Sequence, residues 1–173
     1  LLASSAASDV YKRQIYIHAK NASLAAARLL FFRLRRLGFQ ASLIPSGGSE
    51  VLEGIAHAGE GDLAILFSFS KVSEEGRMIL DYAREAGCST LAFTSRLYAP
   101  QEQRADVNLY VYRGEKEEFH TMSSAVAVID ALVLALSDSM QPKAAEKLMR
   151  LQKLKKKYGR RLYGKEDGKS GQE

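Results

Sequence analysis

Two short segments hold the side chains from which chemistry could be built. Residues 68–73 read Ser68-Phe69-Ser70-Lys71-Val72-Ser73, and residues 18–23 read His18-Ala19-Lys20-Asn21-Ala22-Ser23. The first places three hydroxyls and an ammonium within six positions, ahead of a helical pattern whose first backbone amides point outward. Hydroxyl donors, a cation and a helix N-terminus together suit a phosphate dianion. Each residue also has a plainer use: Ser73 as a helix N-cap, Lys71 as a solvated loop charge, Ser68 and Ser70 as donors to backbone carbonyls. Spacing leaves both readings open.

Proton-transfer chemistry would need a general base with a tuned pKa, and the candidates near these segments are Glu74, Glu75, His18 and His120. Adjacent glutamates in a first helical turn read as surface residues that complement the helix dipole. Lone histidines read as structural, with His120 the one placed to reach a neighbouring subunit's site. Arg28, Arg33, Arg35 and Arg36 could suggest nucleic acid, but three of them fall in a helix's last turn, where cations offset the dipole. Three scattered histidines and Cys88 give no zinc-ligand spacing, so no metal and no cofactor is expected.

The elements that must position these residues alternate between short β-rich runs and longer helical patterns, as βαβ units do. Strands are predicted over 15–17, 40–44, 63–69, 90–93 and 107–111. The apolar run 63–67 should be a central strand covered on both faces. Helices are predicted over 22–37, 50–58 and 73–86, ended respectively by Gly38, Gly59 and Gly87 as left-handed caps. A helix over 121–138 is apolar almost all round, and 143–158 is amphipathic and basic. Five parallel strands with helices on both faces give an α/β, three-layer αβα, doubly wound sheet. Ligands of such sheets sit at the carboxyl ends of the strands, where strand order reverses.

The chain has 173 residues, 46% hydrophobic and 26% charged, with one cysteine, which is the make-up of one ordinary domain able to build its own core. A lone thiol fits a reducing, cytoplasmic compartment. The net charge of +5 is unevenly spread: residues 1–142 hold 14 Lys+Arg against 16 Asp+Glu, and residues 143–173 hold 11 against 4. The basic helix should attract nucleic acid without sequence preference. The longest apolar stretch, 125–136, is broken by Asp130 and falls short of the roughly 20 residues that cross a bilayer. Residues 1–14 read as a non-native or disordered leader, 15–140 as the domain proper, 141–160 as the basic helix and 161–173 as a disordered tail.

Taken in order, several features resemble the sugar isomerase (SIS) domain, and within it the sensor half of RpiR-type transcriptional regulators. They are the turn ending in Ser23, the Arg33-Leu34-Arg35-Arg36-Leu37-Gly38 helix end, Gly61-Asp62, and Ser68-x-Ser70-x-x-Ser73. Further along come Ala83-Arg84-Glu85-Ala86-Gly87, Ala92-Phe93-Thr94-Ser95 and Ala105-Asp106. The resemblance implies a flavodoxin-like fold binding a phosphorylated sugar, with Ser23, Ser68, Ser70 and Ser73 lining the phosphate pocket. The family's turn glycines are missing, with Ala19 and Asn21 in the first turn and Lys71 in the second. Lys71, joined by Lys20, could supply side-chain charge in place of a close backbone approach. The expectation is a non-catalytic sensor, with a stand-alone sugar-phosphate aldose/ketose isomerase as the alternative and a domain that only dimerises as a third. A homodimer or homotetramer is expected from the all-round apolar helix. DNA contact is expected only through a missing upstream domain, and membrane contact is not expected.

Overall fold

The computed structural model describes residues 13–115 and 117–163. Strands β1 (Gln14–Ala19), β2 (Gln40–Leu43), β3 (Leu63–Phe67), β4 (Ser89–Thr94) and β5 (Val107–Tyr110) form one sheet in the order β2-β1-β3-β4-β5. Every pairing is parallel. Helices α1 (Ser23–Leu37), α2 (Glu50–Ile55), α3 (Glu74–Glu85), α4 (Ser123–Ser139) and α5 (Lys143–Tyr163) surround it, with a 3₁₀ turn at Gln101–Gln103. Chain order reverses between β1 and β3, so the turns that follow these two strands lie side by side.

The strand side chains alternate between two cores, as a period of two requires. Ile15, Ile17, Ile65, Phe67 and Phe93 pack with Leu30 and Leu34 of α1, Ile129 of α4 and Ala144 of α5. Tyr16, Ala64, Leu66 and Ala92 pack with Val51 and Ile55 of α2 and Ile79, Leu80 and Ala83 of α3. This is the three-layer αβα arrangement expected from the alternating pattern. Cys88 is buried in the second core, and burial pushes its thiol up to about 11, so it is protonated at neutral pH.

Several boundaries differ from the sequence expectation for identifiable reasons. The run predicted to continue to Phe69 leaves the regular ladder after Phe67. Its backbone still bonds β4, through Ser68 N to Phe93 O (3.0 Å) and Ser95 N to Phe69 O (2.8 Å). Helix α2 ends at Ile55, three residues before the predicted 50–58 helix would stop, and Gly59 does not adopt the left-handed conformation proposed for it. Instead the Gly59 amide donates to Asp62 Oδ2 (3.1 Å), tying the turn to the start of β3. Gly38 and Gly87 do adopt positive φ, at 91° and 69°.

The predicted 121–138 helix is α4, of which only Ala125 and Ile129 are fully buried. Val126 and Leu134 remain 38% and 69% exposed. Arg33 pairs with Asp130 across α1 and α4 (3.4 Å), and Arg35 and Arg36 lie over the rings of Phe31 and Phe32, which accounts for those arginines as helix surface. The basic helix is α5, whose buried Ala144 and half-buried Leu148 join the α1 side of the core. No single helix among the described residues is long and apolar enough to cross a membrane. Residues 1–12 of the predicted leader and 164–173 of the predicted tail lie outside the described residues, while Gln14 is already part of β1.

Candidate functional site

The β1–α1 and β3–α3 turns enclose a cavity of about 360 Å³ at the carboxyl edge of the sheet. All six residues singled out in the sequence line it: Lys20, Ser23, Ser68, Ser70, Lys71 and Ser73, together with His18, Asn21, Phe67, Phe69 and Arg113. The floor is apolar and aromatic. Phe67 and Phe93 stack at 4.4 Å with their planes 5° apart, and Phe69 meets Phe67 edge-on at 6.0 Å.

The structure divides the four serines. Ser73 is the N-cap of α3, its Oγ accepting from Gly76 N at 3.2 Å, so the plainer reading holds for that residue. A side chain at Gly76 would press on Val72 (3.0 Å), so the glycine lets the first turn of α3 close against this loop. The hydroxyls of Ser23, Ser68 and Ser70 have no hydrogen-bond partner among the described residues, although each lines the cavity. They do not serve backbone carbonyls, which was the alternative for Ser68 and Ser70. Lys71 is exposed and pairs with no carboxylate among the described residues.

Lys20 is already engaged. Its Nζ donates to Glu75 Oε1 at 2.7 Å, linking the β1–α1 turn to the first turn of α3. The Lys20 hydrogen bond, followed by backbone and Ser73 donors, holds the Glu75 carboxyl at about 2. Glu75 is therefore a fixed anion that crosses between turns, where the sequence suggests only a dipole-complementing surface residue. Glu74 does match that reading: it pairs within α3 with Arg77.

His18 is 3% exposed, and neither ring nitrogen has a partner of normal geometry. Burial lowers its pKa; Glu75 and the neighbouring Pro45 carbonyl oppose that shift and Lys20 reinforces it, so the ring is neutral at pH 7. His120 is exposed and lines a separate, adjoining cavity. The described residues contain no His/Cys/Asp/Glu group able to hold a metal.

Arg113 was not singled out in the sequence. It reaches the cavity from the loop after β5, its guanidinium 4.5 Å from the Phe69 ring centre and its Nε donating to Thr121 O at 3.0 Å. The signal was available in its position, since a loop that follows a parallel strand opens at the same carboxyl edge as the two turns that carry the serines. Asn21 adopts φ 52°, the left-handed region glycine would otherwise serve. Asparagine tolerates that conformation better than other side chains, so the first turn keeps its path without the glycine.

A family model of the SIS domain matches residues 10–137. The chain belongs to the SIS domain family. Its fold resembles the sugar isomerase domain of an RpiR transcription factor from Sphaerobacter thermophilus, with TM-score 0.73 and 21% identity over 87% of this chain and 84% of that one. It also resembles the Vibrio vulnificus NanR protein complexed with ManNAc-6P, with TM-score 0.72 and 19% identity over 94% of this chain but only 61% of that one. A Methanococcus jannaschii protein, whose structure was described as inferring 3-hexulose-6-phosphate isomerase function, matches with TM-score 0.53 and 21% identity over 86% of this chain and 77% of that one. No curated protein matches the sequence. SIS neighbours thus include regulators and isomerase-like proteins on one scaffold, and at these identities they establish the fold and leave function to the site.

Proposed function

We propose that this SIS domain is the non-catalytic sensor of a transcriptional regulator, binding a phosphorylated sugar through Ser23, Ser68, Ser70, Lys71, Ser73 and Lys20. One observation carries the reading: three hydroxyls without protein partners and one unpaired ammonium, among the described residues, border one cavity that no carboxylate lines. Unclaimed donors around one cavity match an anionic ligand, because charge-assisted hydrogen bonds to an anion are stronger than those the same groups make to water. Lys20 keeps two further protons beside the one given to Glu75, and Ser73, whose hydroxyl serves Gly76 and Glu75, borders the ligand as the cap of α3. NanR was solved with ManNAc-6P and an Escherichia coli neighbour was likewise solved with a phosphosugar, which supports that ligand class.

The state of Glu75 favours sensing over turnover. Glu75, held at about 2 by Lys20, is too weak a base to take a proton from a sugar carbon at neutral pH. The alternative, an aldose/ketose isomerase, rests on His120, which lines the adjoining cavity, and on His18, which borders this one. Both ring nitrogens of His18 are buried and have no hydrogen-bond partner among the described residues. Turnover of any pentose or hexose phosphate at about 1 s⁻¹ or faster, an ordinary enzyme rate, would favour the isomerase.

As a sensor, the domain works as a homodimer or homotetramer in the cytoplasm. The uncovered apolar side of α4, at Val126 and Leu134, is the surface offered for assembly, and sedimentation as a pure monomer at micromolar concentration would exclude it. Base recognition in DNA belongs to another part of such a regulator. The direct test of the site is a thermal-shift screen of sugar phosphates with unphosphorylated sugars as controls. Ligand at a hundred times its dissociation constant stabilises the fold by about 2.7 kcal/mol. No shift with any phosphate, or equal shifts without it, overturns the reading.

A further inference from the structure

The carboxyl edge of the sheet carries more positive charge than one phosphate requires. Beside the serine cavity, with Phe69 and Ser70 as the shared wall, lies a second cavity of about 240 Å³ bordered by Ser95, Arg96, Arg113 and His120. Arg113 borders both cavities, and no carboxylate lines either one. Arg96 makes one side-chain hydrogen bond, from its guanidinium to Gln103 Oε1 at 3.3 Å. Arg113 uses its Nε on the Thr121 carbonyl and its face on Phe69, which leaves its terminal nitrogens unclaimed. Neither guanidinium has an ion-pair partner among the described residues. Glu118, which lies against Gly114 on the same loop, is spent on accepting from Glu115 N at 3.0 Å.

Arg96 and Arg113, each partly buried, both border this one small cavity, and a bound anion would offset the hydration they lose. The charges also count. Lys20 and Glu75 cancel, leaving Lys71, Arg96 and Arg113 as three unpaired cations among the described residues around the joined cavities. A phosphate dianion and one carboxylate balance them.

We propose that the cavity between Arg96 and Arg113 receives a carboxylate, so that the ligand is a phosphorylated sugar acid with its phosphate on the serine side. The planar guanidinium fork matches two carboxylate oxygens, which fixes orientation as well as charge. This rests on the phosphosugar reading of the neighbouring cavity and adds the class of sugar to it.

The experiment compares ligands that differ in one group, by calorimetry on the full chain at fixed salt. The pairs are 6-phosphogluconate against glucitol 6-phosphate, both open-chain, and glucuronic acid 1-phosphate against glucose 1-phosphate, both rings. The acid of at least one pair should bind about ten- to a hundredfold tighter than its partner, the range expected of a charged hydrogen-bonded contact. Arg96→Gln should abolish that preference and leave glucitol 6-phosphate or glucose 1-phosphate binding as before; circular dichroism verifies that the variant is folded. Equal binding within both pairs, a preference that survives Arg96→Gln, or tighter binding of glucose 1,6-bisphosphate than of either acid overturns the carboxylate site and leaves the phosphosugar reading standing. Binding of none of these phosphates overturns both.

Discussion

At the amino ends of the strands, Asp62 accepts from Gln14 N (2.9 Å) and Gly59 N (3.1 Å), joining β1, the α2–β3 turn and β3. Asp106 accepts from both the amide and the hydroxyl of Thr90 (2.7 and 2.8 Å), and Thr90 Oγ1 accepts in return from Asp106 N (2.8 Å). At the carboxyl ends the hydroxyls of Ser23, Ser68 and Ser70 have no such partners among the described residues, and Lys71, Arg96 and Arg113 have no carboxylate to pair with. One edge uses its polar groups on its own backbone and is finished; the other holds donors in place and leaves them open. Gly61-Asp62 and Ala105-Asp106 thus share in the family resemblance for a structural reason, as does Ser73, while Ser68 and Ser70 keep hydroxyls without a partner among the described residues.

The sharpest break of this contrast is at the open edge. Lys71→Ala and Ser68→Ala should each weaken phosphosugar binding about ten- to a hundredfold, the range for hydrogen bonds to a charged partner, measured by calorimetry. Both should leave stability within about 0.5 kcal/mol, as surface changes do. The closed edge should behave in the opposite way. Thr90→Val strands the Asp106 amide and removes one of the two donors to its carboxylate, costing about 1–3 kcal/mol in urea unfolding, with the ligand dissociation constant of the folded protein unchanged. Equal effects on binding and stability at both edges would erase the distinction.

A smaller effect concerns His18, the buried ring with no hydrogen-bond partner among the described residues. Its folded pKa lies below the ordinary 6.5, so below that pH the unfolded chain binds the proton that the fold refuses. Stability should therefore fall as pH drops through about 6.5, and His18→Leu should flatten that part of the curve. Glu75 acts in a lower window: with a folded value of about 2 against 4.5, its contribution is present above 4.5 and is lost as pH falls toward 2. A curve for His18→Leu identical to that of the parent between pH 7 and 5 would show that burial does not set this titration. The smallest effect belongs to Glu75→Gln, which frees Lys20 and removes an anion beside the site. Phosphosugar binding should tighten slightly, by an increment that high salt removes.

How far the site was legible depends on which residues touch. Ser68, Ser70, Lys71 and Ser73 sit within one turn, and sequence order alone assembled them. Ser23 and Lys20 joined them because strand order reverses beside β1, a rule that a βαβαβ pattern already carries. Arg113 did not, because 40 residues separate it from Ser73, the nearest member of that group, and nothing local marks it. The Gly59 cap failed for a related reason. A left-handed glycine reads as a helix stop when only neighbours along the chain are considered, yet here the turn is organised by Asp62, whose carboxylate reaches back to the Gly59 amide.

The sequence by itself determined the alternation of strands and helices, the two-sided burial of β3, the single uncrossed thiol, and the turn that gathers hydroxyls ahead of α3. All of these follow from periodicity and short-range spacing. Only the tertiary structure decided which hydroxyls are free and which are consumed. Ser73 and Ser70 are alike as sequence, but one oxygen faces the Gly76 amide and the other faces the cavity. It also decided that Lys20 is neutralised by Glu75, 55 positions away, while Lys71 is not. The availability of a polar group is set by which partners lie within about 3 Å, and that distance is fixed by packing between elements rather than by order along the chain.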